Sequence, residues 1–542
     1  MGWGSLPDGP NPFLFALPIR ITSLTFYPRY MKSVVNLIFV LCFSVSCGKT
    51  KDVDSPITIF IDSIHVSNLD VVDLDIDNRQ KLVTVTCYED QDIADVRMSF
   101  FFPEHIRLRD SESNQLTLDL ERTDSFTLLA GDKVIQFKLY VKLIPKPFRQ
   151  DSFVISTFHG IPGGEAAHNR QVLENTKRAN FTHFETTFTT PAGSVQALRI
   201  AEGLGLKVIV QDYSKFGGFQ NYDAQIAKTT AASVVEAVAL YSNYKSFAGY
   251  YVWDEPFLEQ LPQVRRDLDL LRRYDPGKLF LVVTLQSYSP TYTWENGQYT
   301  RYIDELLSVV DPPLLCTNYY VYEQDIKQGV SLTDSKLWRD WGYIRKKAIE
   351  REIPFWLYIQ LMGDILDGRV GDISIGQIAV QNYIALALGA KGISYYNTIG
   401  GILDEQGTPN HLFNDVAMLN IETLHIGNKL LNASSQKTYH TGSILHDDYL
   451  DKLADSDLLE SVSAELLVGE FEDNSSGERL VLLVNTDYEN AVSGTIILKD
   501  SFQVGKLNRQ TGQIAFRDGG LNAIAVDIPP GRGELFVLRQ HR

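Results

Sequence analysis

Between residues 147 and 435 the chain repeats one unit eight times: a short apolar run of strand length, followed by a stretch of helical spacing. The runs are FVISTFHG (153–160), FTHFETTF (181–188), KVIVQDYS (207–214), AGYYVWDEP (248–256), LFLVVTLQS (279–287), LLCTNYYVY (314–322), PFWLYIQLMG (354–363) and GISYYNTIGG (392–401). Between them, SVQALRIAEGLG, QVRRDLDLLRRYDP, LWRDWGYIRKKAIEREI and IGQIAVQNYIALALGAK place apolar residues at helical intervals. Strand-helix repetition of this kind predicts a parallel sheet, and eight units fit a closed (β/α)8 barrel better than an open sheet. An open doubly wound sheet would carry a glycine-rich phosphate turn after its first strand. HGIPGG, which follows the first run, lacks that spacing.

A chain of 542 residues exceeds the roughly 250–300 that one core supports, so further domains are expected. On either side of the barrel the period changes to two. KLVTVTCYE, DVRMSFFF and KVIQFKLYVKL predict an antiparallel N-terminal β-sandwich over 57–146, and ERLVLLVNTDY, SGTIILKD and GRGELFVLRQ a C-terminal β-sandwich over 436–542. The expected fold class is thus multidomain, a central TIM barrel at 147–435 flanked by two β-domains.

The N-terminus reads as an address. From Met31, a lysine and an apolar run, Val34 to Val45, lead through small residues into Cys47. The run is too short to span a bilayer and has the length of a signal-peptide core. The residues before Cys47 resemble a bacterial lipobox, with Ser44 where leucine is usual, and an ordinary cleaved secretory signal is the alternative. Residues 1–30 read as upstream sequence before an incorrectly chosen start, 31–47 as the signal peptide with Cys47 lipidated, and 48–56 as a linker. The expected location is the cell envelope, across the inner membrane and on the outer membrane side, with membrane contact only through the lipid. A net charge of −17 excludes a phosphate-backbone partner, so no nucleic acid is expected. Cys87 and Cys316 have no metal-type spacing and read as buried thiols. No His-x-x-x-His pair points to a metal, no cofactor is implied, and no Gly-x-Ser-x-Gly elbow suggests an esterase.

In a barrel of this kind the strand ends face a common bowl. The fourth run ends in Asp254 and Glu255. The other runs offer His159, His183 and Glu185, Gln211, Asp212 and Tyr213, Gln286 and Tyr288, Asn318, Tyr319, Tyr320 and Tyr322, Gln360, and Tyr395, Tyr396 and Asn397. Carboxylates, amides and aromatic rings suit a carbohydrate, whose hydroxyls bond to the polar groups while its apolar face stacks on rings. Asp-Glu-Pro is also the sequence of a helix start, with an acidic cap and Pro256 in the first turn.

With WDEP at the end of strand four, the barrel resembles the large clan of glycoside hydrolases that includes β-galactosidases. There the fourth strand ends in Asn-Glu, and the glutamate is the acid/base. The resemblance implies Glu255 as general acid/base and Asp254 in the place of the asparagine. It also implies a glutamate nucleophile ending strand seven, where this chain has Gln360. A neutral amide cannot attack an anomeric carbon as a carboxylate does. Three arrangements follow: an Asp254–Glu255 pair like that of hexosaminidases, an opposed carboxylate from Glu185, Asp212 or Glu323, or a barrel that binds glycan without cleaving it.

Overall fold

Eight parallel strands form the central sheet: β1 (Val154–Thr157), β2 (His183–Thr186), β3 (Lys207–Gln211), β4 (Phe247–Asp254), β5 (Leu279–Val283), β6 (Leu315–Asn318), β7 (Phe355–Gln360) and β8 (Gly392–Tyr396). This computed structural model describes residues 59–540 apart from 70, 89–90, 145–147, 159–168, 188, 220–228, 290 and 364–372. The signal segment with Cys47, the linker and His159 lie outside the described residues. The hydrogen-bonded order runs from β2 through β8 to β1, each strand beside its sequence neighbour. The two ends of that path meet through Thr182. Its N–H donates to the Ile155 carbonyl at 2.9 Å, and its hydroxyl accepts the Ile155 N–H at 2.9 Å. Among the described residues, the backbone of β1 thus meets this seam through Thr182 where the other strands use a ladder, and the Ser156 hydroxyl adds a side-chain bond to Glu185 of β2.

The strands alternate with α1 (Arg170–Arg178), α2 (Pro191–Leu204), α3 (Ala231–Tyr241), α4 (Leu261–Tyr274), α5 (Gln298–Glu305), the short α6 (Val321–Gln324), α7 (Leu337–Arg351), α8 (Ile375–Leu388) and α9 (Phe413–Leu431). Local sequence sets their ends. Thr190 caps α2 with Pro191 in the first turn, Thr230 and Ser233 cap each other's peptides at α3, and Ser374 and Gln377 do so at α8. Inside the barrel, Ile209, Tyr251, Leu281, Cys316, Trp356 and Tyr358 pack together; the alternate strand residues face the helices.

The N-terminal strands form two sheets. Strands 63–66, 96–101 and 115–118 make one, and strands 71–77, 82–88, 107–108, 125–130 and 133–144 the other. Phe100 of the first packs on Phe126 of the second with ring centroids 4.8 Å apart. The expected antiparallel pairing holds except between 82–88 and 133–144, which run parallel. The chain between them crosses to the other sheet and back twice, and the second strand returns in the direction of the first. The C-terminal strands form one antiparallel eight-stranded sheet in which the sixteen-residue strand Val492–Leu507 pairs with four others. In strand Arg479–Val484, Val481 and Leu483 face the C-terminal core while Leu480 and Leu482 join the barrel's core. Burial on both sides explains its continuous apolar run. No helix among the described residues is long and apolar enough to cross a membrane, and no cluster of metal-ligating side chains occurs among them.

Candidate active site

The end of β4 brings both carboxylates to one mouth of the barrel by a local distortion. Along the strand, Trp253 faces the helices, its indole N–H donating to Asp267 of α4 at 2.9 Å, so Asp254 faces inward. Regular alternation would send Glu255 outward again. Instead Glu255 takes a left-handed backbone, φ 51°, while its N–H continues the ladder to the Val283 carbonyl at 2.8 Å. This conformation is unfavourable for a residue with a Cβ and re-aims the side chain across the mouth.

There the carboxyl meets two amides. Asn318, at the end of β6, donates to Oε1 at 3.0 Å, and Gln286, just past β5, donates to the same oxygen. Burial lifts the carboxyl to about 7, against the opposing pull of the Asn318 and Gln286 donors. Asp254 is more deeply buried and is also pushed up, by burial first and by the charge of Glu255 next, while a hydroxyl bond from Tyr251 at 2.9 Å opposes the rise. Two adjacent carboxyls that share a low-dielectric mouth cannot both ionise freely, which separates their roles.

Tyrosines surround the pair. The phenols of Tyr213, Tyr288, Tyr320 and Tyr396 are all held protonated by burial foremost; the charge of one or both carboxylates comes next for Tyr213, Tyr288 and Tyr396, and for Tyr320 it follows the neighbouring phenols Tyr288 and Tyr396. They therefore serve as hydroxyl donors and as rings. Tyr320 and Tyr396 lie 5.2 Å apart, and Phe158 stacks on Tyr396 at 5.5 Å. Gln211 donates to the Tyr213 hydroxyl at 2.8 Å. The bowl thus gathers Asp254, Glu255, Tyr213, Gln286, Tyr288, Asn318, Tyr320 and Tyr396 from the residues expected by sequence.

The remaining expected residues are placed elsewhere. His183 opens β2 rather than ending it, so it sits at the opposite mouth beside Trp356, neutral because burial and Lys207 lower it to about 3. Glu185 is fully buried inside the barrel and accepts hydroxyls from Ser156 at 2.7 Å, Ser394 at 2.8 Å and Tyr358 at 2.6 Å. Asp212 closes the turn after β3, accepting the Ser214 N–H at 3.1 Å and the Tyr241 hydroxyl at 2.6 Å. Tyr319 and Tyr395 point to the helix layer, where their hydroxyls bond Asp325 at 2.8 Å and Asn420 at 2.7 Å. Asn397 caps a turn by accepting the Ile399 N–H at 3.1 Å. Gln360 accepts the Glu323 N–H at 3.0 Å and donates to the Met362 carbonyl at 2.8 Å, fastening two loops together.

Sequence reasoning missed Phe158 and Tyr251. Phe158 directly follows β1 next to His159, a signal that was present; Tyr251 lies three residues before Asp254, where a bulge in the pairing with β5 offsets simple alternation.

No protein-family model matches the sequence, and no curated protein matches it. Solved structures share its general arrangement at a distance. A Bacteroides fragilis protein provisionally named an α-galactosidase/melibiase gives a TM-score of 0.44 at 8% identity, over 81% of this chain and 90% of that one. An α-galactosidase of Saccharomyces cerevisiae gives 0.42 at 7%, over 72% and 97%. An Anoxybacillus α-amylase gives 0.40 at 11%, over 72% and 98%. At this distance the barrel stands on its own strand order and the bowl on its own side-chain geometry.

Proposed function

We propose that the chain is a glycoside hydrolase in which Glu255 is the general acid and Asp254 its partner. The observation that carries this reading is the Glu255 carboxyl: raised to about 7, held by two amides, and aimed into a bowl of phenols at the C-terminal ends of barrel strands. A carboxyl of that pKa is protonated just below neutral pH and donates readily to a leaving oxygen. The proton passes from Glu255 to the glycosidic oxygen, the bond from that oxygen to the anomeric carbon breaks, and the leaving group departs as an alcohol.

The oxygen that then takes the anomeric carbon follows from the other carboxylates. Glu185 is enclosed by three hydroxyls, Asp212 is engaged in a turn, and Glu323 lies against Lys327 at 3.4 Å. Asp254 is the carboxylate beside Glu255, which supports a pair in which it orients a 2-acetamido group of the sugar. The carbonyl oxygen of that group attacks the anomeric carbon, and water later reopens the ring. The substrate is an oligo- or polysaccharide. The protein is secreted and anchored through Cys47; Cys47→Ala is expected to move it from the membrane fraction to the soluble one.

The test of the acid is Glu255→Gln against aryl-glycosides and natural oligosaccharides. Turnover is expected to fall by about 10²- to 10⁴-fold with sugar affinity little changed. A second reading, a glycan-binding barrel without hydrolysis, draws on Gln360, an amide at the end of β7 that is fully engaged between loops. Wild-type protein that binds glycans and cleaves none would favour it.

A further inference from the structure

The amide that holds Glu255 is itself fixed from behind by groups on two helices. The Tyr302 hydroxyl, on α5 and fully buried, accepts the Leu285 N–H at 3.2 Å and donates to the Pro256 carbonyl at 2.9 Å. Pro256 follows Glu255 and Leu285 precedes Gln286, so one hydroxyl ties the backbone beside the acid to the backbone beside its amide partner. Tyr292 braces the bridge: its ring stacks on that of Tyr302 with centroids 5.1 Å apart, and its own hydroxyl accepts the Leu258 N–H at 2.8 Å. On the far side of Gln286, the Ser287 hydroxyl donates to Asp340 of α7.

We infer that Tyr302 is a positioning residue for the acid: by bridging Pro256 and Leu285 it sets the distance between the Glu255 carboxyl and the Gln286 amide. The inference rests on Glu255 being the general acid. An N–H donated to a carboxylate favours its charged form, whereas burial favours the protonated one. Cutting the bridge lets the end of β5 draw back from β4, weakens the amide bond, and leaves burial less opposed. The carboxyl then keeps its proton to higher pH. The other groups facing Glu255 are Asp254 on β4, Tyr213 after β3, Tyr288 after β5, Tyr320 after β6 and Tyr396 on β8, and none of them is altered by a change at position 302.

Tyr302→Phe removes one oxygen and keeps the ring. It is expected to lower kcat about tenfold, to leave KM within about twofold, and to move the alkaline limb of the kcat profile upward by about half a pH unit. Tyr439→Phe serves as the control: its hydroxyl is buried in the C-terminal sheet, donates to Glu470 at 2.7 Å, and can cost stability without moving the limb. Ser287→Ala loosens the same strand end from α7, is expected to shift the limb in the same direction, and decides the matter if Tyr302→Phe does not fold. Titration of 13C-labelled glutamate carboxyls in wild type and variant reads the Glu255 shift without turnover. A limb and a carboxyl titration unmoved in both variants would overturn the bridge. Full activity in Glu255→Gln would instead remove the acid assignment, with the carboxyl titration still deciding the bridge.

Discussion

Glu255 combines a left-handed backbone with a buried carboxyl, and each opposes folding. A residue serving only as a helix-end charge would need neither. The stability cost has a defined pH dependence. Its folded pKa, about 7, lies above the ordinary 4.5, so the folded state holds the proton more tightly than the unfolded chain. That contribution is complete below about pH 4.5 and is lost as pH rises through about 7. Glu255→Gln has no such proton to lose. Its loss of unfolding free energy between about pH 5 and pH 8 should be smaller than that of wild type by about 1–3 kcal/mol, measured by urea denaturation. Equal losses in both proteins would show that the carboxyl is not held protonated by the fold. At Asp254, the partner role predicts that Asp254→Asn lowers kcat by about 10²-fold or more. A mild effect in steady-state kinetics would reduce Asp254 to a stand-in for asparagine.

Among the elements, the end of β4 depends on the loop that follows β3. A two-residue strand, Gly218–Phe219, pairs with Trp253–Asp254, directly beside the carboxylates. The approach is close enough to demand glycine: at Gly217, φ is 69°, and a Cβ would stand 1.7 Å from the Val252 carbonyl oxygen. Gly217→Ala is therefore expected to cost about 3 kcal/mol or more and to disturb Asp254. Gly131 has φ 58° but open space around its Cβ position, so Gly131→Ala should cost only about 1 kcal/mol. Similar unfolding midpoints for the two variants would refute the close approach. Nothing in the text of the β3 loop announces this. KVIVQDYS reads as a strand running into a turn, and the need for glycine arises only where β4 passes beneath it.

At the scale of the whole molecule, α8 couples the barrel to the C-terminal sheet. Eleven of its residues are buried, on all sides, which marks a helix enclosed between two layers. On the barrel side, Gln381 brackets the Gln360 peptide. On the other side, the sheet approaches so closely that a Cβ at Gly469 would meet the Ala387 carbonyl oxygen at 2.4 Å, while Thr438 donates to that same oxygen at 3.1 Å. Arg532 of the C-terminal region pairs with Glu422 of α9, to which Tyr383 of α8 also donates at 3.0 Å. The barrel and this sheet should then unfold together. Calorimetry is expected to give one transition for both, and a chain ending at residue 432 should be insoluble because α8 would present its apolar outer face to water. A soluble, cooperatively folding truncation would contradict this coupling.

The sequence by itself determined the eight strands, the helices between them, and the position of two carboxylates at the end of the fourth. Those features are written in local periodicity and in the capping residues Thr190, Thr230 and Ser374. It could not say which of two neighbouring residues faces the bowl. Strands of a parallel sheet covered on both sides are apolar on both faces, so Tyr395 and Tyr396, or Tyr319 and Tyr320, look alike in the text. Tertiary structure decided between them, because the helix layer supplies Asn420 and Asp325 to one hydroxyl of each pair while the bowl receives the other ring. It also decided that Glu255 turns inward. No local propensity favours a left-handed glutamate; the ladder to Val283 and the amides of Gln286 and Asn318, contributed from 31 and 63 residues away, hold it there.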